Sequence, residues 1–127
     1  MLVTALAAVG LLAYAGVASA HDGVSNNGVT VEFHFAPNDD PVAGKPAAVV
    51  IERVEVRKGT TFSWKTCRCA LMISDSSGKQ LYRNTAASRK TPFVFPASGA
   101  YKVTFSGRAK RAGRWHSFLV SDAVRAS

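Results

Sequence analysis

The stretch Val29-Thr30-Val31-Glu32-Phe33-His34-Phe35 alternates without a break, with valines and phenylalanines on one parity and threonine, glutamate and histidine on the other. A period of two is the mark of a strand with one face on a core and the other in water. Downstream, Ala36-Pro37-Asn38-Asp39-Asp40-Pro41 is a turn cluster, and Ala43-Gly44-Lys45-Pro46 leads into a second strand. Ala47 to Val56 is rich in β-branched residues but loses register near Glu52-Arg53, as a bulge would. Beyond the Lys58-Gly59 turn, Phe62 and Trp64 share a face. Past Thr66 the parity flips, so that Cys67, Cys69, Leu71 and Ile73 line up along one strand. Ser76-Ser77-Gly78-Lys79 is a hairpin signal into Gln80-Leu81-Tyr82. Phe93 to Phe95, flanked by prolines, reads as an edge or crossover strand. Tyr101, Val103 and Phe105 alternate with Lys102, Thr104 and Ser106, and Trp115 to Val120 closes the series.

About seven short strands, with no helical period sustained over three turns, predict an all-β antiparallel sandwich. Phe33, Trp64, Ile73, Tyr101, Val103 and Phe105 are its expected core. Pro96-x-x-Gly99-x-Tyr101-x-Val103 is similar to the tyrosine corner of immunoglobulin-like domains, where a Tyr stands two residues before an inward position. Val103 stands where antibody domains carry a cysteine, so their inter-sheet disulfide cannot form. The fold expected is an immunoglobulin-like β-sandwich.

Outward to the N-terminus the character changes. Leu2 to Val17 is apolar, Ala18-Ser19-Ala20 matches a small-residue cleavage signal, and every charged residue follows Ala20. The expectation is a signal peptide over 1–20, without the usual positive n-region, and a single domain over 21–127 that begins at His21. That places the mature chain outside the cytoplasm, in a periplasm, a thylakoid lumen or the medium, where disulfides persist. No transmembrane segment would remain after cleavage, and the expected state is a monomer.

Several features together resemble a group of small exported bacterial proteins, familiar from cyanobacteria. They are His21 at the mature N-terminus, Pro37-Asn38-Asp39-Asp40-Pro41 with Ala43-Gly44-Lys45-Pro46, Cys67-Arg68-Cys69, and Phe95-Pro96-x-x-Gly99-x-Tyr101. The Pro41-x-Ala43-Gly44-x-Pro46 piece is also similar to YtkA-like secreted β-sandwiches. The resemblance implies location and fold, and carries over no functional residue.

Cys67-x-Cys69 is the most suggestive local pattern. On a straight strand the two Cα atoms would stand about 6.6 Å apart, from a rise of about 3.3 Å per residue, so a disulfide would need a kink. A local disulfide, two buried thiols, and a thiolate pair for a soft ion such as Cu(I) all fit the pattern, in that order of preference. His21, if N-terminal, offers an amine and an imidazole to Cu(II). It would need a second histidine, from His116 in the last strand or His34 on the polar face of its own. His34 reads most simply as solvated, His116 as half-buried, and Asp39-Asp40 as turn-forming. No nucleophile elbow or phosphate loop is present.

Charge is unevenly spread. The chain carries 16 basic and 8 acidic residues, a net +8, yet residues 21–52 hold five acidic side chains and a single basic one, Lys45. Arg108, Lys110, Arg111 and Arg114 cluster in what reads as a Gly-bounded loop between the last two strands. Such a cluster reads most simply as a solvated, aggregation-resistant loop, and it can also hold an anionic envelope surface. Without interleaved aromatics it does not suit nucleic acid, which an exported chain would not meet. These observations predict a non-enzymatic binding module for an unknown protein or an anionic envelope surface, with a copper-binding protein as the alternative.

Overall fold

The computed structural model describes residues 23–127. The expected signal peptide and His21 lie outside the described residues. Among the described residues, nine strands form two antiparallel sheets. The first sheet has the order β1-β2-β3-β7, from β1 (Val24–Asn26), β2 (Val29–Ala36), β3 (Pro46–Val56) and β7 (Lys90–Val94). In the second, β8 (Gly99–Arg111) runs between β9 (Arg114–Ala126) on one edge and both β5 (Ala70–Asp75) and β4 (Thr60–Thr61) on the other. β6 (Gln80–Asn84) lies outside β5.

Four hairpins, β1–β2, β2–β3, β5–β6 and β8–β9, pair strands adjacent in sequence, and the chain crosses between the sheets after β3, β6 and β7. The inward parity of each strand supplies the core. Phe33, Phe35, Val49 and Ile51 come from the first sheet, and Leu71, Ile73, Val103, Phe105, Phe118 and Val120 from the second. The molecule is an immunoglobulin-like β-sandwich.

The bulge lies where the broken register places it. Phe33 faces Ile51 and Glu32 faces Arg53, so Glu52 is the extra residue. The tyrosine corner is also present: the Tyr101 hydroxyl donates to Ala97 O at 2.6 Å and accepts from Ala97 N–H at 3.1 Å. β7 pairs only with β3 and is an edge strand, with Pro92 opposite Ala48. At the far end, Ser127 exchanges backbone hydrogen bonds with Pro41 and Ala43, which ties the C-terminus to the β2–β3 connection.

Three expectations are corrected. Residues 62–69 form no strand: Arg68 takes a left-handed φ of 52°, which folds the chain back between the cysteines. Trp64 is therefore only partly buried, packed on Phe62 and Phe105 at the margin of the core. The basic cluster is not a loop. Arg108, Lys110 and Arg111 extend β8, Arg114 begins β9, and the turn is only Ala112-Gly113, both with positive φ. This is the geometry of a two-residue type I′ hairpin, whose twist matches its strands. Among the described residues no helix is long and apolar enough to cross a membrane.

Candidate functional site

Register along β8–β9 sets the first candidate. Lys110 stands opposite Trp115, Arg108 opposite Ser117, Ser106 opposite Leu119, and Lys102 opposite Ala123. All of these lie on the outward parity. The Arg108 guanidinium carbon sits 4.1 Å and the Lys110 ammonium 4.8 Å from the centre of the Trp115 ring, so the indole is flanked by two cations. Arg108 is held from behind, because its Nε donates to Thr66 O at 3.0 Å and its backbone N–H to Cys67 O.

Trp115 is 42% exposed and Leu119 54%. No outward position of β5, β8 or β9 carries an acidic residue, and Arg125 and, on β6, Arg83 add to the positive face. Arg111 and Arg114 face each other at the tip of the hairpin on the other parity. Sequence reasoning found all four basic residues of this cluster but not the outward tryptophan among them.

The cysteines lie beneath this face. Cys67 and Cys69 are joined in a disulfide with their Cα atoms 5.0 Å apart, and both are buried. The kink at Arg68 makes up the difference from the spacing of a straight strand. Bonded to each other and shielded from solvent, these sulfurs present no thiolate to Cu(I).

Around them a shallow depression of about 480 Å³ opens between Asn27, Arg68, Gly107, Ser117 and Leu119. Asn26 and Asn27 close its rim. Asn27 Nδ2 donates to Ser117 O at 2.8 Å, and Leu119 N–H donates to Asn26 Oδ1 at 3.0 Å.

His116 is exposed, not half-buried, because β9 has here run past the edge of the core. It lines a depression with Arg57 and Arg111, two guanidinium groups that favour an anion over a copper ion. His34 lies in the other sheet, opposite Val50, and is partly buried against carboxylates instead of simply solvated. Its Nδ1 meets Asp39 Oδ2 at 3.1 Å, while Nε2 faces Glu32 Oε1 at 3.4 Å and the Glu52 carboxylate.

Burial works against the imidazolium. Hydrogen bonds to Asp39 and Glu32, with the charges of Asp39 and Glu52, outweigh it and raise the His34 pKa above its ordinary value. Among the described residues, Glu32, His34 and Glu52 are the set of metal-ligating side chains whose donor atoms converge. The signal for it was the Glu32-x-His34 spacing on the polar parity, combined with the bulge at Glu52.

Fold and surface together define a class: a small β-sandwich with a cationic, aromatic outer face. Comparison with protein-family models, curated proteins and solved structures finds no match for the chain.

Proposed function

We propose that the protein is an exported, non-enzymatic binding module that lies on an anionic bilayer surface through the outer face of β8 and β9. The carrying observation is Trp115, exposed between Arg108 and Lys110 on a face without carboxylates, with Leu119 beside it. Indole rings settle at the headgroup level, where an apolar body and a polar edge both find partners. Cations near a negative lipid surface contribute about 1 kcal/mol each, and the attraction falls off within a Debye length. Leu119 selects among anions. A soluble polyanionic glycan would use the arginines and stack on the indole, but it has no use for an exposed leucine, whereas an acyl boundary does.

Co-sedimentation with vesicles tests the reading. Binding should require phosphatidylglycerol, fail on pure phosphatidylcholine, and weaken with salt. Arg108→Gln and Lys110→Gln should each lower affinity about fivefold, the factor equivalent to about 1 kcal/mol. Trp115→Ala and Leu119→Ser should weaken it at constant charge. Equal binding to neutral vesicles, or none to anionic ones, refutes the proposal. Retention on a soluble sulfated glycan that Leu119→Ser leaves unchanged would assign the face to a glycan instead.

A further inference from the structure

The opposite face of the sandwich carries a different chemistry. We propose that Glu32, His34 and Glu52 bind one divalent first-row transition-metal ion, with Asp39 as the residue that positions the imidazole. The three ligand atoms, one from each side chain, all lie within 4.8 Å of one another. Two lie on the same strand two residues apart, Glu32 and His34, and so project to the same side of β2.

The third is delivered by the β3 bulge. As the residue without a partner between Ile51 and Arg53, Glu52 escapes the alternation and turns its carboxylate to His34 Nε2. Bulges commonly re-aim a side chain at a site in this way.

Asp39 supplies the outer carboxylate that a histidine ligand commonly uses. Metal-bound histidines usually donate the far ring N–H to a carboxylate, which fixes the tautomer and points the other nitrogen at the ion. Asp39 Oδ2 stands 3.1 Å from His34 Nδ1. Asp39 is itself anchored: Oδ1 accepts the Phe35 N–H at 2.8 Å and its own N–H bonds Phe35 O at 2.6 Å, with a left-handed φ of 61°. The Pro37–Pro41 turn thus holds a carboxylate behind the ring while β2 and β3 bring two more in front of it.

One imidazole with two carboxylates suits ions such as Zn(II), and the half-exposed setting leaves coordination positions for water. Arg53 on this face engages Glu55 at 3.2 Å, Lys90 stands one strand beyond Val50, and Arg89 lines a depression with Glu52. This inference does not rest on the bilayer reading, since the two faces belong to different sheets.

Titration calorimetry of the folded protein with ZnCl₂ should give one ion per chain. Glu52→Gln and Glu32→Gln should each weaken binding at least about tenfold, and Asp39→Asn about 10–100-fold, the usual effect of losing an outer-shell carboxylate. Glu55→Gln, on the same sheet but outside the set, should change nothing. Glu52 is exposed and its amide keeps the shape, so that variant tests the site even if His34→Ala does not fold. Co(II) should bind with visible absorption bands that Glu52→Gln alters. No stoichiometric binding, binding that survives Glu52→Gln unchanged, or Ca(II) binding as tightly as Zn(II) would each overturn the assignment.

Discussion

Gly107→Ala should destabilise the protein although it adds one methyl group to a residue with no left-handed φ. A Cβ at position 107 would meet the Cys67 sulfur closer than side chains approach. It would also stand 3.1 Å from Phe118 Cζ and 3.2 Å from Cys67 O. The sulfur cannot swing away, being fully buried and bonded to Cys69. Phe118 faces Gly107 directly across the hairpin and packs on Phe105 with ring centres 5.6 Å apart.

Overpacking of this kind costs about 1–3 kcal/mol, and the closed surroundings put this site in the upper half of that range. Lost freedom of the unfolded chain returns about 0.4–1 kcal/mol on replacing glycine by alanine. The net is a loss of about 1–2.6 kcal/mol. In urea, where ΔG falls by about 1–3 kcal/mol per molar, the unfolding midpoint should drop by roughly 1 M.

A double-mutant cycle isolates the cause. In a Cys67→Ala, Cys69→Ala background the sulfur is gone, and the cost of Gly107→Ala should shrink by about 1 kcal/mol or more, well outside the scatter of independent sites. An unchanged or raised midpoint refutes the close approach. An equal cost in both backgrounds refutes the sulfur as its source.

Two other substitutions probe the frame. Tyr101→Phe removes the hydroxyl that bonds both polar atoms of Ala97, so it should cost roughly 1–3 kcal/mol in chemical denaturation; less than about 0.5 would mean that water replaces it. Asp122 sits on the inward parity between Val120 and Val124, where burial raises its pKa against the opposing hydrogen bond from Ala123 N–H. A carboxyl raised in the folded state binds more protons there than when unfolded. Its stabilisation is therefore complete below the unfolded value of 3.8 and is lost as the pH rises through the folded one. Asp122→Asn should raise the midpoint at pH 7, with the advantage vanishing in acid; a constant difference across that range would refute burial as the cause.

The sandwich was legible wherever strand pairing and sequence alternation agree over five residues or more. β2 reads directly, and the tyrosine corner and the β3 bulge each leave a local mark. β1 does not, because Val24-Ser25-Asn26 has no apolar alternation of its own. Its place is set by the Asn27-Gly28 turn, with φ of 48° and 79°, and by side chains that bond the edge of β9. That Asn-Gly pair is a strong hairpin signal, and it was there to be read. The disulfide with its kink and the burial of both cysteines were legible, whereas a strand through them was not to be had, because the alternation assumes extended backbone and Arg68 is not extended. The Glu32–His34–Glu52 cluster was legible only in part, as Glu32-x-His34 on the polar parity and a lost register near Glu52. Its third member arrives through a register shift whose direction depends on tertiary pairing, which spacing along the chain does not encode.

The charge asymmetry shows how a one-dimensional pattern becomes a three-dimensional one. Acidic residues gather before Arg53 and basic ones after it. In a sandwich whose first long hairpin is β2–β3 and whose last is β8–β9, that division puts carboxylates on the outer face of the first sheet, beside Arg53 and Lys90, and leaves the outer face of the second basic. Like charges on neighbouring outward positions repel, and the hairpins meet the problem differently. Glu32 and Glu52 converge on His34, while Arg53 takes Glu55. On the outward positions of β8–β9 no carboxylate is at hand, and Arg108 and Lys110 lie against the face of Trp115 instead. An indole is a poor substitute for a carboxylate in water, since such contacts contribute about 0.5–1 kcal/mol when exposed. The positive potential of that face is therefore left largely uncancelled. A surface held in that condition, with an aromatic and a leucine at its centre, is suited to a negative partner that also offers apolar contact. The carboxylate-lined face on the other sheet stays in water when the first is covered.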